Sequence, residues 1–379
     1  MMRPQVLLTA SLLACAAPAA LAQGSGLGIV GLGIPGRFVS ARDAGTAGGV
    51  TLFDPEATLN PASIGRWRAA AGWATAAPSR LSLESADTSS ELRSMRFPLF
   101  GFASRLRPRI AIAATVSDYL DRSYEITRRD TVDLRGTPVG YDDISRSHGG
   151  VSDLRLAAAY TFDRVWLALA VHAYAGSSRL VASRRFDGDA YEDFIEVSQT
   201  DFSGMGLSAG TIVSVLPGRL DAGASVRIGD QLTAKNTTGR SASVPLPTEI
   251  AFGVHATPAP SIGVAATVQR AGWSRARAAL VAAGQGPPRD AWSVGIGIEI
   301  QNVDFGLFHS PLRLGWRTRQ LPFPIGTAEL DERAFSGGLS LLFAQNRTTV
   351  DLGFERGSRS GGAVTERFST LFVGITVRP

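Results

Sequence analysis

The chain has 379 residues, 44% of them hydrophobic, and its 38 basic and 33 acidic side chains leave a formal charge of +5. Its one cysteine, Cys15, excludes a disulfide framework, a thiolate metal site and, outside the first residues, a cysteine nucleophile. The positive charge is scattered, with no basic cluster interleaved with aromatics, so nucleic acid is not an expected partner.

Residues 1–22, "MMRPQVLLTASLLACAAPAALA", place Arg3 before an apolar run and end on the small-x-small pattern Ala20-Leu21-Ala22. That is the form of a cleaved secretory signal peptide, with the mature chain starting at Gln23. No later run reaches 18 apolar residues, so no transmembrane helix is expected. The apolar content then requires a large soluble core or a transmembrane β-barrel, which hides its hydrophobicity by alternation.

"GLGIVG" at 26–31 spells the dinucleotide-binding fingerprint, which works only between a strand and a helix with an acidic residue about 20 positions on. A signal peptide precedes it, and Pro35 and Gly36 follow. Asp43 and Asp54, the nearest acids, close no plausible strand. The expected role of these glycines is close backbone packing. Residues 23–65 show no alternation and read as a plug segment preceding the barrel at 66–379.

From Trp67 the dominant period is two. Strands are expected near 67–76, 93–105, 109–119, 151–162, 164–175, 203–216, 219–229, 247–257, 261–274, 290–300, 311–319, 333–343, 347–356 and 367–378, about fourteen in all. Links alternate short and long, the long ones being 77–92, 120–150, 176–202, 230–246, 275–289, 320–332 and 357–366. Short periplasmic turns and long outer loops on an even-stranded antiparallel barrel give that sorting, with both termini periplasmic. In "LRLGWRTR", Leu312, Leu314 and Trp316 are expected to face lipid and Arg313, Arg317 and Arg319 the lumen, where Glu299 and Asp351 also point. Inward arginines attract anions, although the inward acids make the wall mixed in charge. The six tryptophans are expected mostly at strand ends, as a girdle. The last strand, "LFVGITVRP", resembles the closing strand read by barrel-assembly machinery, except that it ends in Arg378-Pro379 and not in an aromatic.

Two further patterns carry chemistry on other folds. "GLSAG" at 206–210 spells a nucleophile elbow, but Ser208 lies within an alternating strand, and none of His148, His172, His255 or His309 suggests itself as a partner. Asp187, Asp189, Glu192 and Asp193 offer oxygen ligands without an EF-hand register and read as a solvated loop. No metal, cofactor or catalytic residue is expected.

"SARDAGTAGGVTLFDPEATLNPASIG" at 40–65, the stretch at 246–274 and "LRLGWRTRQLPFP" with "AFSGGLSL" together resemble FadL-type outer-membrane transporters of long-chain fatty acids and the related PorV-type barrels. Gly45, Gly48 and Gly49 match that family's glycine turn, Asp54 its acidic residue, and Asn60-Pro61-Ala62 its Asn-Pro-Ala motif. The resemblance implies a fourteen-strand outer-membrane barrel with an N-terminal plug that passes hydrophobic small molecules. The PorV branch implies instead a barrel that anchors or shuttles secreted proteins. Expected partners are outer-membrane lipid, lipopolysaccharide, the assembly machinery and a hydrophobic solute or, in the alternative, secreted proteins.

Overall fold

The alternation resolves into fourteen antiparallel wall strands closed on themselves, in a computed structural model that describes residues 25–379 apart from 38, 86–87, 189–190, 307–308 and 346. The expected signal peptide, 1–22, lies outside the described residues. The strands are β1 (Ala71–Ser85), β2 (Thr88–Arg107), β3 (Ile110–Asp121, carried on by Tyr124–Leu134), β4 (Thr137–Phe162), β5 (Val165–Phe186), β6 (Phe194–Leu216) and β7 (Leu220–Asn236). Then come β8 (Ser241–Pro245, carried on by Thr248–Ala259), β9 (Ile262–Ala271), β10 (Ala291–Asp304), β11 (His309–Ile325), β12 (Ala328–Phe343), β13 (Thr348–Gly361) and β14 (Val364–Val377). β14 pairs with β1 from Thr365↔Glu84 to Val377↔Gly72, which closes the barrel and leaves no sheet edge at the seam. Among the described residues no helix is long and apolar enough to cross a membrane.

The outer face carries Leu154, Leu169, Leu207, Phe252, Ile298, Leu314 and Phe354, each 40% exposed or more. Their neighbours along the strands, Asp153, Arg155, Ser208, Glu299, Arg313 and Glu355, are buried on the inner face. Apolar side chains outside and ionic ones inside are the reverse of a soluble domain, and mark a barrel set in lipid.

Most of the expected long loops are strand. The β5–β6 ladder runs unbroken from Val165↔Val213 to Arg184↔Phe194, so most of 176–202 forms a tall hairpin. The stretches 77–92, 120–150, 230–246, 320–332 and 357–366 are likewise mostly paired. Beyond the lipid band both faces of such a hairpin meet water, so the hydrophobic period vanishes while the hydrogen bonding continues. The link 275–289 is a true loop and holds the short helix α2 (Arg277–Ala282). The tryptophan girdle is also only partial. Trp292 is half exposed, but Trp67, Trp73 and Trp273 are buried, Trp67 stacking on Trp73 at 5.7 Å and Trp273 meeting Phe323 edge-on at 5.1 Å.

Residues 25–66 lie inside the barrel as 3-10 turns at Gly26–Ile29 and Pro61–Arg66, a two-residue strand at Ile34–Pro35 and the helix α1 (Ala41–Gly45). Ala44, Ala47, Leu52, Ala57 and Ile64 are fully buried. The "GLGIVG" stretch holds a 3-10 turn and meets the wall through its backbone. A Cβ on Gly28 would lie 2.7 Å from the Ser123 carbonyl oxygen. Further on, Gly33 adopts φ +96° with the Asp121 carbonyl oxygen 2.3 Å from where a Cβ would sit.

Candidate functional site

The wall is not continuous. The β2–β3 ladder runs from Arg107↔Ile110 only as far as Leu99↔Ser117. Above it, residues 88–96 of β2 pair with β1 alone, and Tyr124–Leu134 pairs with β4 alone. β3 breaks at Arg122 and Ser123, and the gap lies in the half of the barrel away from the short turns. Ile34 and Pro35 of the N-terminal segment take the β3 edge that β2 leaves, opposite Asp121 and Leu120. The Gly36 N–H donates to the Tyr119 carbonyl at 2.8 Å. An Arg96–Asp121 ion pair spans the base of the gap.

A cavity of about 350 Å³ opens at this gap, lined by Arg96, Phe97, Asp118, Leu120, Asp121 and Val151 among others. Ser94, Arg96, Asp118 and Asp121 also line a second space, about 90 Å³, between wall and N-terminal segment. Through Gly36, Arg37, Val39 and Arg319 it meets a third, about 60 Å³, which reaches Ala47, Gly48 and Thr51. A small, more apolar space of about 60 Å³ adjoins Pro35 beneath Trp273, Trp292, Ala271 and Leu321. On the other side of residues 42–55, at the short-turn end, lies a vestibule of about 420 Å³. The N-terminal segment therefore stands between spaces that communicate with the gap and a mouth at the opposite end.

Ion pairs fix that segment to the wall. Arg313 donates to Glu299 at 2.6 Å and to Asp351 at 2.9 Å. Arg317 donates to Glu355 at 2.8 Å and to Glu332 at 2.7 Å. Arg319 reaches Glu332 at 3.1 Å and the Pro35 carbonyl at 3.1 Å. From the segment, Arg42 grips both oxygens of Glu299, and Arg37 meets Glu355 at 2.5 Å. Arg313, Arg317 and Arg319 are each matched by carboxylates, so they do not form a free anion-attracting ring. Glu332, fully buried and bound by Arg317, Arg319 and Arg359, is the hub that sequence reading missed.

The Asn-Pro-Ala motif builds a helix start. Asn60 Oδ1 caps the 3-10 turn by accepting from Ala62 N–H at 3.0 Å, and Pro61 occupies its first turn, where a missing N–H costs nothing. The Asn60 amide also donates to the Leu52 carbonyl at 3.1 Å and the Thr211 carbonyl of β6 at 3.2 Å. Gly48 has φ +88°, and a Cβ on Gly49 would lie 2.5 Å from the Gly297 nitrogen. Asp54 accepts from Ser40 Oγ at 2.5 Å and from the Glu56 N–H at 3.1 Å.

Burial, reinforced by the Asp54 carboxylate, pushes the Asp43 carboxyl up to about 7. Burial, with Asp54 and Asp351 nearby, pushes Glu56 up to about 8. Both folded values exceed the unfolded ones, so this contribution is complete below about pH 4 and is lost as pH rises through the folded values. Amide exchange in residues 40–60, corrected for its intrinsic pH dependence, should lose protection between about pH 5.5 and about pH 8.5. Protection that does not change with pH would contradict this.

The structure also assembles a set that sequence reading left apart. His172 Nδ1 lies 2.9 Å from each Asp153 carboxylate oxygen, and His172 Nε2 lies 2.8 Å from Ser208 Oγ. All three are buried on neighbouring strands β4, β5 and β6. Asp153 also pairs with Arg227 at 3.2 Å, so its carboxylate is shared with a permanent charge. Ser208 sits mid-strand, without the strand-to-helix turn of a nucleophile elbow. The flanking glycines have packing reasons: a Cβ on Gly210 would meet Asn60 Oδ1 at 2.0 Å, and one on Gly206 would meet Tyr174 at 3.1 Å. In the acidic loop read as solvated, Asp187 is engaged by Arg129 at 2.5 Å and Asp193 accepts from the Phe186 N–H, while Asp189 lies outside the described residues.

No protein-family model and no curated protein matches the sequence. Solved structures do match. A FadL homologue from Pseudomonas aeruginosa superposes with a TM-score of 0.65 at 12% identity, over 91% of this chain and 99% of the other. The toluene transporter TodX of Pseudomonas putida gives 0.57 at 11%, over 91% and 99%. The monoaromatic hydrocarbon channel CymD gives 0.55 at 14%, over 92% and 99%. At these identities the shared property is the fold: the chain is a closed fourteen-stranded barrel built as the FadL homologue, TodX and CymD are built.

Proposed function

We propose that this chain is a bacterial outer-membrane channel for hydrophobic small molecules, long-chain fatty acids among them, and that residues 23–65 act as its plug. The observation that supports the reading is the gap between β2 and β3, which in a membrane would open the lumen sideways toward lipid. A hydrophobic solute partitions into the membrane, so a side opening meets it where it is concentrated, whereas an axial pore would require it to cross water first. The solute passes the gap, reaches the space beside Pro35 and Gly36, and moves on when the segment shifts. Transport is passive, and no bond is made or broken by the protein.

In this reading residues 1–22 are the removed export signal and 66–379 the barrel. Asn60, Pro61 and Ala62 shape the plug without touching solute, and Arg313, Arg317, Arg319, Glu299 and Asp351 anchor it. The fold shared with proteins described as a toluene transporter and a hydrocarbon channel supports transport over the anchoring of secreted proteins. Binding of a fluorescent long-chain fatty acid to the purified barrel tests this. The expected result is saturable binding that deletion of residues 23–65 alters, and absence of binding by both forms would refute it.

A further inference from the structure

The outer face of the barrel carries a concentration of positive charge on one side of its circumference. Arg333 on β12, Arg356 on β13, Arg367 on β14, Arg80 on β1 and Arg93 on β2 are all exposed, and these strands are consecutive around the closing seam. Each arginine follows the alternation of its strand onto the face that carries Phe335, Phe354 and Leu371, while Glu332, Glu355 and Phe368 are buried on the other. Counted from the short-turn end, Arg356 is the ninth residue of β13, Arg80 the tenth of β1, and Arg333 and Arg367 the eleventh of β12 and β14. A tilted strand crosses the hydrocarbon in about 9–11 residues. These guanidiniums therefore stand where the apolar band ends, on the side away from the short turns.

Register brings them together. Arg356, Ser369, Arg80 and Arg93 lie opposite one another in turn across β13, β14, β1 and β2. Arg333, Ser358, Arg367 and Ser82 form the next row up, across β12, β13, β14 and β1. Arg80 and Arg93 are thus cross-strand neighbours of like charge, with Cβ atoms about 4.5–5.5 Å apart, an arrangement that costs stability unless an anion lies between them. Arg356 and Arg80 are two strands apart, about 10 Å, so both guanidiniums can reach one phosphate. The carboxylates nearby do not balance this charge. Glu84 is held by Arg367 at 2.5 Å, and Asp331 by Arg289 at 2.6 Å. Glu91, one row above Arg93, forms no ion pair among the described residues, and Arg80, Arg93, Arg333 and Arg356 pair with no carboxylate among them either. Arg270, outward on β9, is by contrast answered by Asp290 at 2.5 Å.

Arginine forks match phosphate oxygens, and a cluster of them at the edge of an apolar band fits phosphorylated headgroups whose chains lie along that band. We infer that this face, from β12 through the seam to β2, binds a multiply phosphorylated glycolipid of the outer leaflet, of the lipopolysaccharide class. Its phosphates lie on Arg80, Arg93, Arg333 and Arg356, and its acyl chains against Phe335, Phe354 and Leu371. The bound lipid borders the gap on its β2 side, because Arg93 lies in the stretch of β2 that has no β3 partner. The site rests on the barrel standing in an outer membrane with its short turns periplasmic, and on no property of the transported solute.

The test is native mass spectrometry of the full-length barrel in zwitterionic detergent, titrated with diphosphoryl lipid A and with the same lipid stripped of both phosphates. The diphosphoryl form should bind about tenfold or more tightly. The Arg80→Gln/Arg93→Gln/Arg356→Gln variant should lose that preference, the corresponding triple lysine variant should keep most of it, and Arg219→Gln/Arg347→Gln at the short-turn end should keep all of it. Retention of the folded band on an unheated gel shows that each variant is intact. Equal binding of the two lipids, or a preference that survives the triple glutamine substitution, would overturn the inference and leave the transport reading standing. Phosphatidylglycerol binding as tightly as the diphosphoryl lipid would overturn the assignment to a multiply phosphorylated headgroup. Inorganic phosphate displacing the lipid at equal concentration would show a free-anion site and overturn the role given to the acyl chains.

Discussion

Replacing Glu332 by leucine should lower the stability of the folded barrel by about 3–5 kcal/mol, among the largest effects of any single substitution in the chain. Glu332 is fully buried and accepts from Arg317 at 2.7 Å, Arg319 at 3.1 Å and Arg359 at 2.7 Å. Two of those arginines retain other carboxylates, Glu355 for Arg317 and Glu366 for Arg359. Arg319 keeps only the Pro35 carbonyl. The substitution thus leaves a buried guanidinium without a counter-charge, and the cost of that exceeds the worth of the original pair. It also loosens the contact that holds Pro35 against the wall. Urea titration followed by the shift between folded and unfolded gel bands measures the change. A difference below about 1 kcal/mol would mean that the cluster relaxes or admits water.

The second large effect is expected at Gly36. A Cβ there would lie 2.2 Å from the Asp118 carbonyl oxygen, a backbone atom that cannot swing aside. Gly36→Val should therefore expel Ile34 and Pro35 from the β3 edge and break the Gly36–Tyr119 hydrogen bond. The barrel ladders do not pass through this segment, so the barrel should still fold. Residues 25–40 should become protease-sensitive, and flux of a hydrophobic probe into loaded liposomes should rise several-fold. An intact segment with unchanged flux would show that the β3 edge is not where the plug is held.

How much of this was legible in the residues depends on what each signal measures. Alternation reports a strand with lipid on one side and lumen on the other, so the membrane-spanning parts of β6, β7 and β10 to β14 were readable. Where water wets both faces, as along the upper β5–β6 hairpin, the strand continues without that signal. Asn60-Pro61-Ala62 was readable because a cap is local: acceptor, proline and turn lie within a few residues. Glu332 was not, because its role depends on register. Arg317 and Glu355 are 38 residues apart in sequence and meet only once β11, β12 and β13 are aligned. The Asp153–His172–Ser208 set was hidden for the same reason, being spread over three strands. The break in β3 has no pattern of its own in the sequence. It is visible only as a β2–β3 ladder that stops at Leu99↔Ser117.

In the proposed transport path, solute crosses the wall through the gap and then meets the N-terminal segment. A long-chain diazirine probe, photolysed with the barrel in lipid bilayers and mapped by peptide mass, tests it most directly. Saturable labelling is expected at Arg96, Phe97, Leu120 and Val151 and at Pro35, Gly36, Arg37 and Val39, competed by unlabelled solute. Labelling confined to outward residues such as Leu169, Leu207 and Leu314, and not competed, would show that the probe only dissolves in the surrounding lipid and would contradict the claim.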